Sequence, residues 1–416
     1  MTGERPALIC GETVLTGRGL RDRIAAADPG VDRPGRVVAI LDPDRVGALV
    51  RALAVRRAGG VPLVGDDRWT AAYRDDLLRR VRAAAPVPGM AWATFTSGST
   101  GAPRTIVRTA GSWSASFPGV ARLTGLTAAD VVYLPSPLVS SVTTFSVAHA
   151  RSVGATILLP RTHTVSAADL GHATVLHGSP YALRDVVERV EGGAAHRLRV
   201  ALVGGARLDD GLRGRAEAAG IRVVGYYGAA ELSFVAVDPD GQGLRPFDGV
   251  EVRVDEGVLW VRSAYFAAGY LGGTGGPLRR DGDGWATVGD LADRAGSGPL
   301  RLLGRGDGAI LTAAATVVPE DVEAALLGLH GIADAVVFAL PHARTGSLVA
   351  AVIEPEPGRR PPSAGELRTR AGTVLTGTHR PRRWFWTDRL PRTPAGKPAR
   401  EQIRRDALAG RVARIV

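Results

Sequence analysis

The segment Thr94-Phe95-Thr96-Ser97-Gly98-Ser99-Thr100-Gly101-Ala102-Pro103-Arg104 decides how the chain is read. Five hydroxyl residues and two glycines fall in its first eight positions. Glycine lets the backbone turn with its amides exposed, and amides and hydroxyls together can surround a phosphate. The second glycine is not followed by lysine and Ser or Thr, so the Walker pattern is absent. Alone, the segment is either a phosphate cradle or a polar linker.

Working outward, Val37 to Leu41 is an apolar run that predicts a buried strand, and Asp42-Pro43-Asp44 offers a helix N-cap. Val46, Leu49, Val50 and Leu53 follow at helical spacing up to Gly59-Gly60. The same order returns at Leu198–Val203 (strand), Asp209–Ala219 (helix), Gly220 (stop) and Ile221–Tyr226 (strand). Strand–helix–strand units joined by glycine turns predict layered α/β units with mostly parallel sheets. After Gly304-Arg305-Gly306-Asp307 the pattern changes. A helix is expected over Pro319–Leu329, strands over Ala333–Leu340 and Leu348–Glu354, a helix over Ala364–Thr376 and a last helix from about Pro398. That is a small α+β unit, so the expected division is 1–304, a hinge at 305–307, and 308–416.

At 416 residues the chain suits two or three such units. No apolar stretch near the N-terminus is long enough for a signal peptide or a membrane span. One cysteine, Cys10, excludes an intramolecular disulfide framework and a cysteine zinc site. These features predict a soluble cytoplasmic protein without membrane association. The net charge of +11 raises nucleic-acid binding, but the arginines are dispersed and only His379-Arg380-Pro381-Arg382-Arg383 is dense. Dispersed charge reads as solvated surface, and nucleic acid is not the expected partner.

Of the 52 basic residues one is a lysine, Lys397, and asparagine is absent. Lysine and asparagine both have AA-starting codons, which a GC-rich genome would discourage. Arginine serves as a surface charge, but its rigid fork does not replace a compact ammonium on a flexible stem. Lys397 therefore marks either chance survival or a site where that difference matters.

The motifs decide between these readings. The loop at Thr96–Arg104 resembles the phosphate loop of the adenylate-forming superfamily, which holds acyl-CoA synthetases, peptide-synthetase adenylation domains and luciferases. Gly204-Gly205-Ala206 resembles the family's glycine strand end beside adenine, and Tyr226-Tyr227-Gly228-Ala229-Ala230-Glu231 its aromatic-glycine-x-threonine-glutamate motif. Trp285-Ala286-Thr287-Val288-Gly289-Asp290 resembles the threonine-glycine-aspartate segment, Gly304 to Asp307 the hinge, and Pro391 to Lys397 the C-terminal lysine loop.

The resemblance implies a large N-terminal domain binding ATP and an acid, with a small mobile α+β lid swinging about Asp307. It places Thr96, Ser97, Gly98, Ser99, Thr100, Gly101 and Arg104 around the phosphates, Gly204, Gly205, Ala206, Tyr226, Tyr227 and Gly228 around adenine, and Asp290 with Arg305 on the ribose. Glu231 would hold Mg²⁺, a hard cation that prefers carboxylate. Lys397 would be the adenylation catalyst, its ammonium meeting the charge that builds on the α-phosphate. Ser140, Phe145, Gly204, Gly228 and Ser233 are candidates for the acid pocket, with ordinary packing the competing reading for each.

Some positions depart from the pattern. Arg104 stands for the usual lysine, Ala230 for a threonine that contacts the α-phosphate, and Val288 for another threonine. Ala313-Ala314-Ala315 replaces glycines where acyl-CoA synthetases pass phosphopantetheine close to the backbone. These alanines are either tolerated or a sign that the thioester step is lost. The leading expectation is an ATP-dependent ligase that forms an acyl-AMP and passes the acyl group to CoA, a carrier thiol or an amine. The alternatives are a diazotase-like enzyme activating nitrite, and a non-catalytic or nucleic-acid-binding protein on this fold.

Overall fold

Buried apolar runs without polar alternation make central parallel strands, because helices cover both faces of the sheet. Val200–Gly204, buried at every position, is such a strand. In the computed structural model it lies inside a nine-stranded sheet, between Arg222–Ala229 and Val175–Gly178 and parallel to both. The structure describes residues 4–415 apart from 67, 68, 70, 97–103, 163, 274, 275, 295, 297, 306, 307, 309, 313, 314, 343–345, 376–378, 394 and 395. Successive residues of the strand pack into different cores. Val200 and Leu202 join the core that includes Leu49, Phe145 and Val224, whereas Ala201 and Val203 join the one built on Leu183, Val186 and Val187.

From the Val200–Gly204 strand the sheet runs through Val175–Gly178, Val131–Tyr133 and Thr156–Leu159 to Pro6–Cys10, all parallel. Antiparallel strands close both edges, Thr13–Thr16 on one side and Ser233–Asp238 with Arg245–Pro246 on the other. A five-stranded sheet carries Val37–Ile40, Val61–Val64 and Met90–Phe95 in parallel, then Thr105–Thr109 antiparallel. Asp44 caps the helix Arg45–Arg57 by accepting from the N–H groups of Val46 and Gly47, as its sequence position predicts. Asp209 caps Asp210–Ala218 in the same way, through the Leu212 N–H.

A third sheet of six strands, among them Val258–Arg262, Asp290–Arg294 and Leu300–Arg305, is antiparallel throughout. Its sequence carries no clear sign of it, because two of its strands are only two residues long. Beyond it lies the smaller α+β unit, with the sheet Ile332–His342, Gly346–Pro355, Arg383–Trp386 and Ala413–Arg414. The helices Pro319–Leu327, Ala364–Val374 and Arg400–Leu408 belong to this unit. Its cores contain residues from Ile310 onward, distinct from those of the larger unit.

Candidate active site

The strand ends of the two parallel sheets converge, as ligand sites in open α/β sheets do. Thr96 and Arg104 close the base of the glycine-rich loop. The Thr96 N–H donates to the Arg104 carbonyl at 2.8 Å, and the Arg104 N–H to the Thr96 hydroxyl at 3.2 Å. Ser97, Gly98, Ser99, Thr100 and Gly101 lie outside the described residues. Across the gap Val200–Gly204 ends beside Tyr226, its register partner on the next strand. A Cβ on Gly204 would fall 2.3 Å from the Tyr226 ring, so only glycine leaves room for that ring. Ala206, Tyr227, Gly228 and Glu231 line one cleft of about 2060 Å³ with Thr96, Arg104 and Asp290.

The groups assigned to base and ribose are already joined, for the Tyr227 hydroxyl donates to Asp290 at 2.5 Å. The backbone of Arg305 pairs with Asp290 in the third sheet, which brings the assigned ribose residues together. Glu231 is 3% exposed and accepts from the Tyr270 hydroxyl at 2.9 Å. Behind it lies Arg108, fully buried, which donates to the Ala230 carbonyl at 2.8 Å, the Tyr265 carbonyl at 3.1 Å and the Ser112 hydroxyl at 3.0 Å. Burial pushes the Arg108 guanidinium down to about 9 and the Glu231 charge pulls it back up, so it stays cationic at neutral pH. Among the described residues no three His, Cys, Asp or Glu side chains gather as a metal cage. A single carboxylate lining the cleft fits Mg²⁺, which is commonly bound through one or two protein carboxylates.

Lys397 enters from the smaller unit. Its loop is closed by backbone bonds from the Thr393 N–H to the Lys397 carbonyl (2.7 Å) and from the Ala399 N–H to the Pro391 carbonyl (2.8 Å). Ion pairs anchor it on both sides, Arg392 to Asp334 at 2.6 Å and Arg400 to the buried Glu323. The lysine stem then crosses to the larger unit, where a Cβ on Gly205 would lie 3.1 Å from Lys397 Cε. Tyr181 of the larger unit holds the loop in this place. The Arg392 guanidinium lies 4.2 Å above its ring, and Arg389 donates to its hydroxyl at 2.9 Å.

Lys397 lines both the cleft and a second, smaller cavity of about 100 Å³. Ser140, Phe145, Gly204, Gly228 and Ser233, the positions expected for the acid pocket, all line this cavity, with Tyr226 and His177. Tyr226 lines both the cleft and this cavity. Its hydroxyl meets His177 Nε2 at 3.1 Å, and His177 Nδ1 makes a short contact with the Ser146 hydroxyl. Ser146 spends its proton on the Val142 carbonyl at 2.9 Å. It must therefore accept from Nδ1–H, leaving Nε2 to accept from Tyr226.

That network needs a neutral imidazole, and burial pushes His177 down to about 3 and neighbouring His149 down to about 4. The unfolded chain takes up these protons near pH 6.5, so the stability they carry is complete above that pH and is lost as pH falls toward 4. Between pH 7 and pH 5 the loss should be about 2 kcal/mol per imidazole. Urea melts over this range should show it. His149→Phe keeps the ring stack on Phe117 at 4.9 Å and should remove about one proton from the slope. A slope unchanged by that substitution would contradict the assignment.

With this geometry in place, comparison with known proteins is informative. A model of AMP-binding enzymes matches residues 86–271, and a model of the AMP-binding enzyme C-terminal domain matches residues 321–397, together more than half of the chain. The chain belongs to the adenylate-forming superfamily. Among its relatives, the uncharacterized acyl–CoA ligase YhfT of Bacillus subtilis is 26% identical over 336 residues, which are 75% of this chain and 67% of that protein. A probable 2-succinylbenzoate–CoA ligase of Mycobacterium tuberculosis is 37% identical over 217 residues, 50% of this chain and 54% of that one. In architecture it is similar to o-succinylbenzoate CoA synthetase from Bacillus subtilis in complex with an acyl-adenylate, with a TM-score of 0.82 at 21% identity over 97% of this chain and 96% of that chain. ATP-bound MatB from Rhodopseudomonas palustris gives 0.80 at 21% identity over 98% and 96%.

For this superfamily member, motif reading missed Arg108, Tyr270, Tyr181 and His177. Each acts through a partner distant in sequence, and Arg108 had no distinctive signal among 52 basic residues. Asp307 and Ala313-Ala314, expected as hinge and tunnel residues, lie outside the described residues, as do the side chains of Arg305 and Ala315.

Proposed function

We propose that the chain is an ATP-dependent ligase that joins a carboxylic acid to AMP, releases pyrophosphate and passes the acyl group to CoA. The observation that carries this reading is the place of Lys397 on the wall shared by the nucleotide cleft and the small cavity. An acid carboxylate in the cavity and an α-phosphate in the cleft would meet at the lysine. Thr96 and Arg104 hold the phosphates, Tyr227 and Asp290 receive base and ribose, and the Lys397 ammonium neutralises charge gathering on the α-phosphate oxygens as the carboxylate attacks. Glu231 would hold Mg²⁺, which when bound would supply Lewis-acid stabilisation of the phosphate charge. Glu231 itself is kept in place by Tyr270 and backed by Arg108. The relatives named as CoA ligases support CoA as acceptor. None of the relatives named above is described as acting on nitrite.

The decisive experiment measures acid-dependent exchange of pyrophosphate into ATP, and AMP release with and without CoA. Exchange that needs an acid, with AMP release that needs CoA, is the expected result. Exchange without any acid, or ATP-independent DNA binding with a steep salt dependence, would overturn the reading.

The Tyr181 contacts make a further prediction. In the arrangement described, the smaller unit is held with Lys397 inward by Arg392 and Arg389 on Tyr181, worth about 1–2 kcal/mol between cation–π and hydrogen-bond contributions. Tyr181→Ala should slow pyrophosphate exchange about tenfold. Acyl transfer from a supplied acyl-AMP should be unchanged or faster, as expected if the lysine must leave for that step. Equal slowing of both half-reactions would refute a clamp specific to the first.

A further inference from the structure

The ligase reading leaves the acid open, and the cavity narrows it. The cavity beside Lys397 measures about 100 Å³, against ~300–1,000 Å³ for ordinary small-molecule pockets. It is also smaller than the ~150 Å³ cavity that admits a benzene ring. It opens to the cleft along Gly205, Gly228 and Lys397, which line both, and the rings of Phe145 and Phe234 line it alone. The Tyr226 and Phe234 ring centres lie 4.6 Å apart, Phe145 and Phe234 5.2 Å, and His177 and Tyr226 5.6 Å. The directional chain from Tyr226 through His177 and Ser146 to the Val142 carbonyl fastens this wall. Turning Tyr226 aside would break its bond to a buried imidazole, and Phe234 is itself buried.

The wall also carries the hydroxyl of Ser140. Ser140 occupies the N-cap of the helix Ser141–Val153, where serine hydroxyls usually bond a first-turn N–H, yet its side chain makes no capping bond. It is 8% exposed, lines the cavity, and has no side-chain hydrogen bond among the described residues. Ser233, opposite, is held at φ 62, in the left-handed region that non-glycine residues seldom adopt. Such backbone persists where the surroundings impose it, and it often marks a ligand site. A hydroxyl that lines the cavity without a bond to the protein is available to a ligand oxygen, and such a bond discriminates against an alkyl group in its place.

We propose that the acid is a short aliphatic hydroxy acid, with no more than about four non-hydrogen atoms beyond the carboxylate, its hydroxyl bonded by Ser140. Its carboxylate faces Lys397 and its chain ends against Tyr226 and Phe234. This inference rests on the ligase reading above, and the experiment separates the two. Pyrophosphate exchange by the full chain is measured with glycolate, lactate, acetate, propionate, hexanoate and benzoate.

The expected kcat/KM for glycolate or lactate exceeds that for benzoate or hexanoate at least a hundredfold. Ser140→Ala is expected to lower the lactate-to-propionate ratio of kcat/KM about tenfold. Tyr226→Ala should raise the benzoate-to-lactate ratio at least tenfold, whereas Tyr226→Phe, which keeps the bulk, should leave benzoate excluded. If Tyr226→Ala does not fold, Phe234→Val gives the same readout from the adjoining ring. Benzoate or hexanoate turned over as well as lactate by the unaltered chain would overturn the proposal and leave the ligase reading standing. No exchange with any acid, in protein that still binds ATP, would remove the ligase reading and the proposal together.

Discussion

Lys397→Ala is expected to lower acid-dependent pyrophosphate exchange about 10²–10³-fold, the usual consequence of removing one preorganised charge-stabilising donor. The thermal melt should not move, because the lysine loop is closed by its own backbone bonds and by the Arg392–Asp334 and Arg400–Glu323 pairs, none of which involves the lysine side chain. Lys397→Arg should fail nearly as badly. The side chain passes Gly205 so closely that a Cβ there would stand 3.1 Å from Cε, and a planar guanidinium is wider than an ammonium. This pair of variants also tests the compositional argument. In a chain that uses arginine for every other basic residue, function should be the reason that one lysine stays. Full exchange in both variants would remove Lys397 from the mechanism.

Arg108→Met should give the largest loss of stability, about 3–5 kcal/mol. The substitution fills the space but leaves the Ala230 and Tyr265 carbonyls without their donor, and a buried Glu231 without its nearby cation. That is a large part of the ~5–15 kcal/mol by which folded domains are usually stable. Arg108→Lys keeps the charge but loses the fork that serves two carbonyls at once, so an intermediate loss is expected. Denaturant melts read the effect directly. The Mg²⁺ concentration needed for half-maximal exchange should rise in the lysine variant, because the carbonyl next to Glu231 is no longer fixed. A melt of Arg108→Met matching that of the unaltered chain would show that the buried guanidinium carries no such load.

Much of this was legible in the sequence. Asp44 and Asp209 cap helices where an aspartate precedes a helical apolar pattern, since capping depends on neighbours within three residues. The glycine-rich loop, the Tyr227–Glu231 segment, Asp290 and Lys397 stood out as short motifs whose residue types their chemistry demands. The hairpin Pro6–Cys10 with Thr13–Thr16, and the antiparallel third sheet, did not stand out. Short edge strands carry little periodic signal, and their pairing is settled by partners far along the chain.

Residue types and local spacing were enough for the family and the α/β layering, and they singled out Lys397 as the group proposed to act on the α-phosphate. They did not reveal the dimensions of the cavity beside Lys397 or the support of Glu231. Tyr226 reads as one more aromatic in a nucleotide motif. Only when the parallel strands set it beside Gly204, within reach of His177, does it become the wall of a 100 Å³ cavity. Arg108 likewise gains its role when a strand in one sheet is buried against Ala230 and Tyr265, which are 122 and 157 residues away. Such contacts depend on burial and on geometry between distant segments, and these exist only in the folded chain.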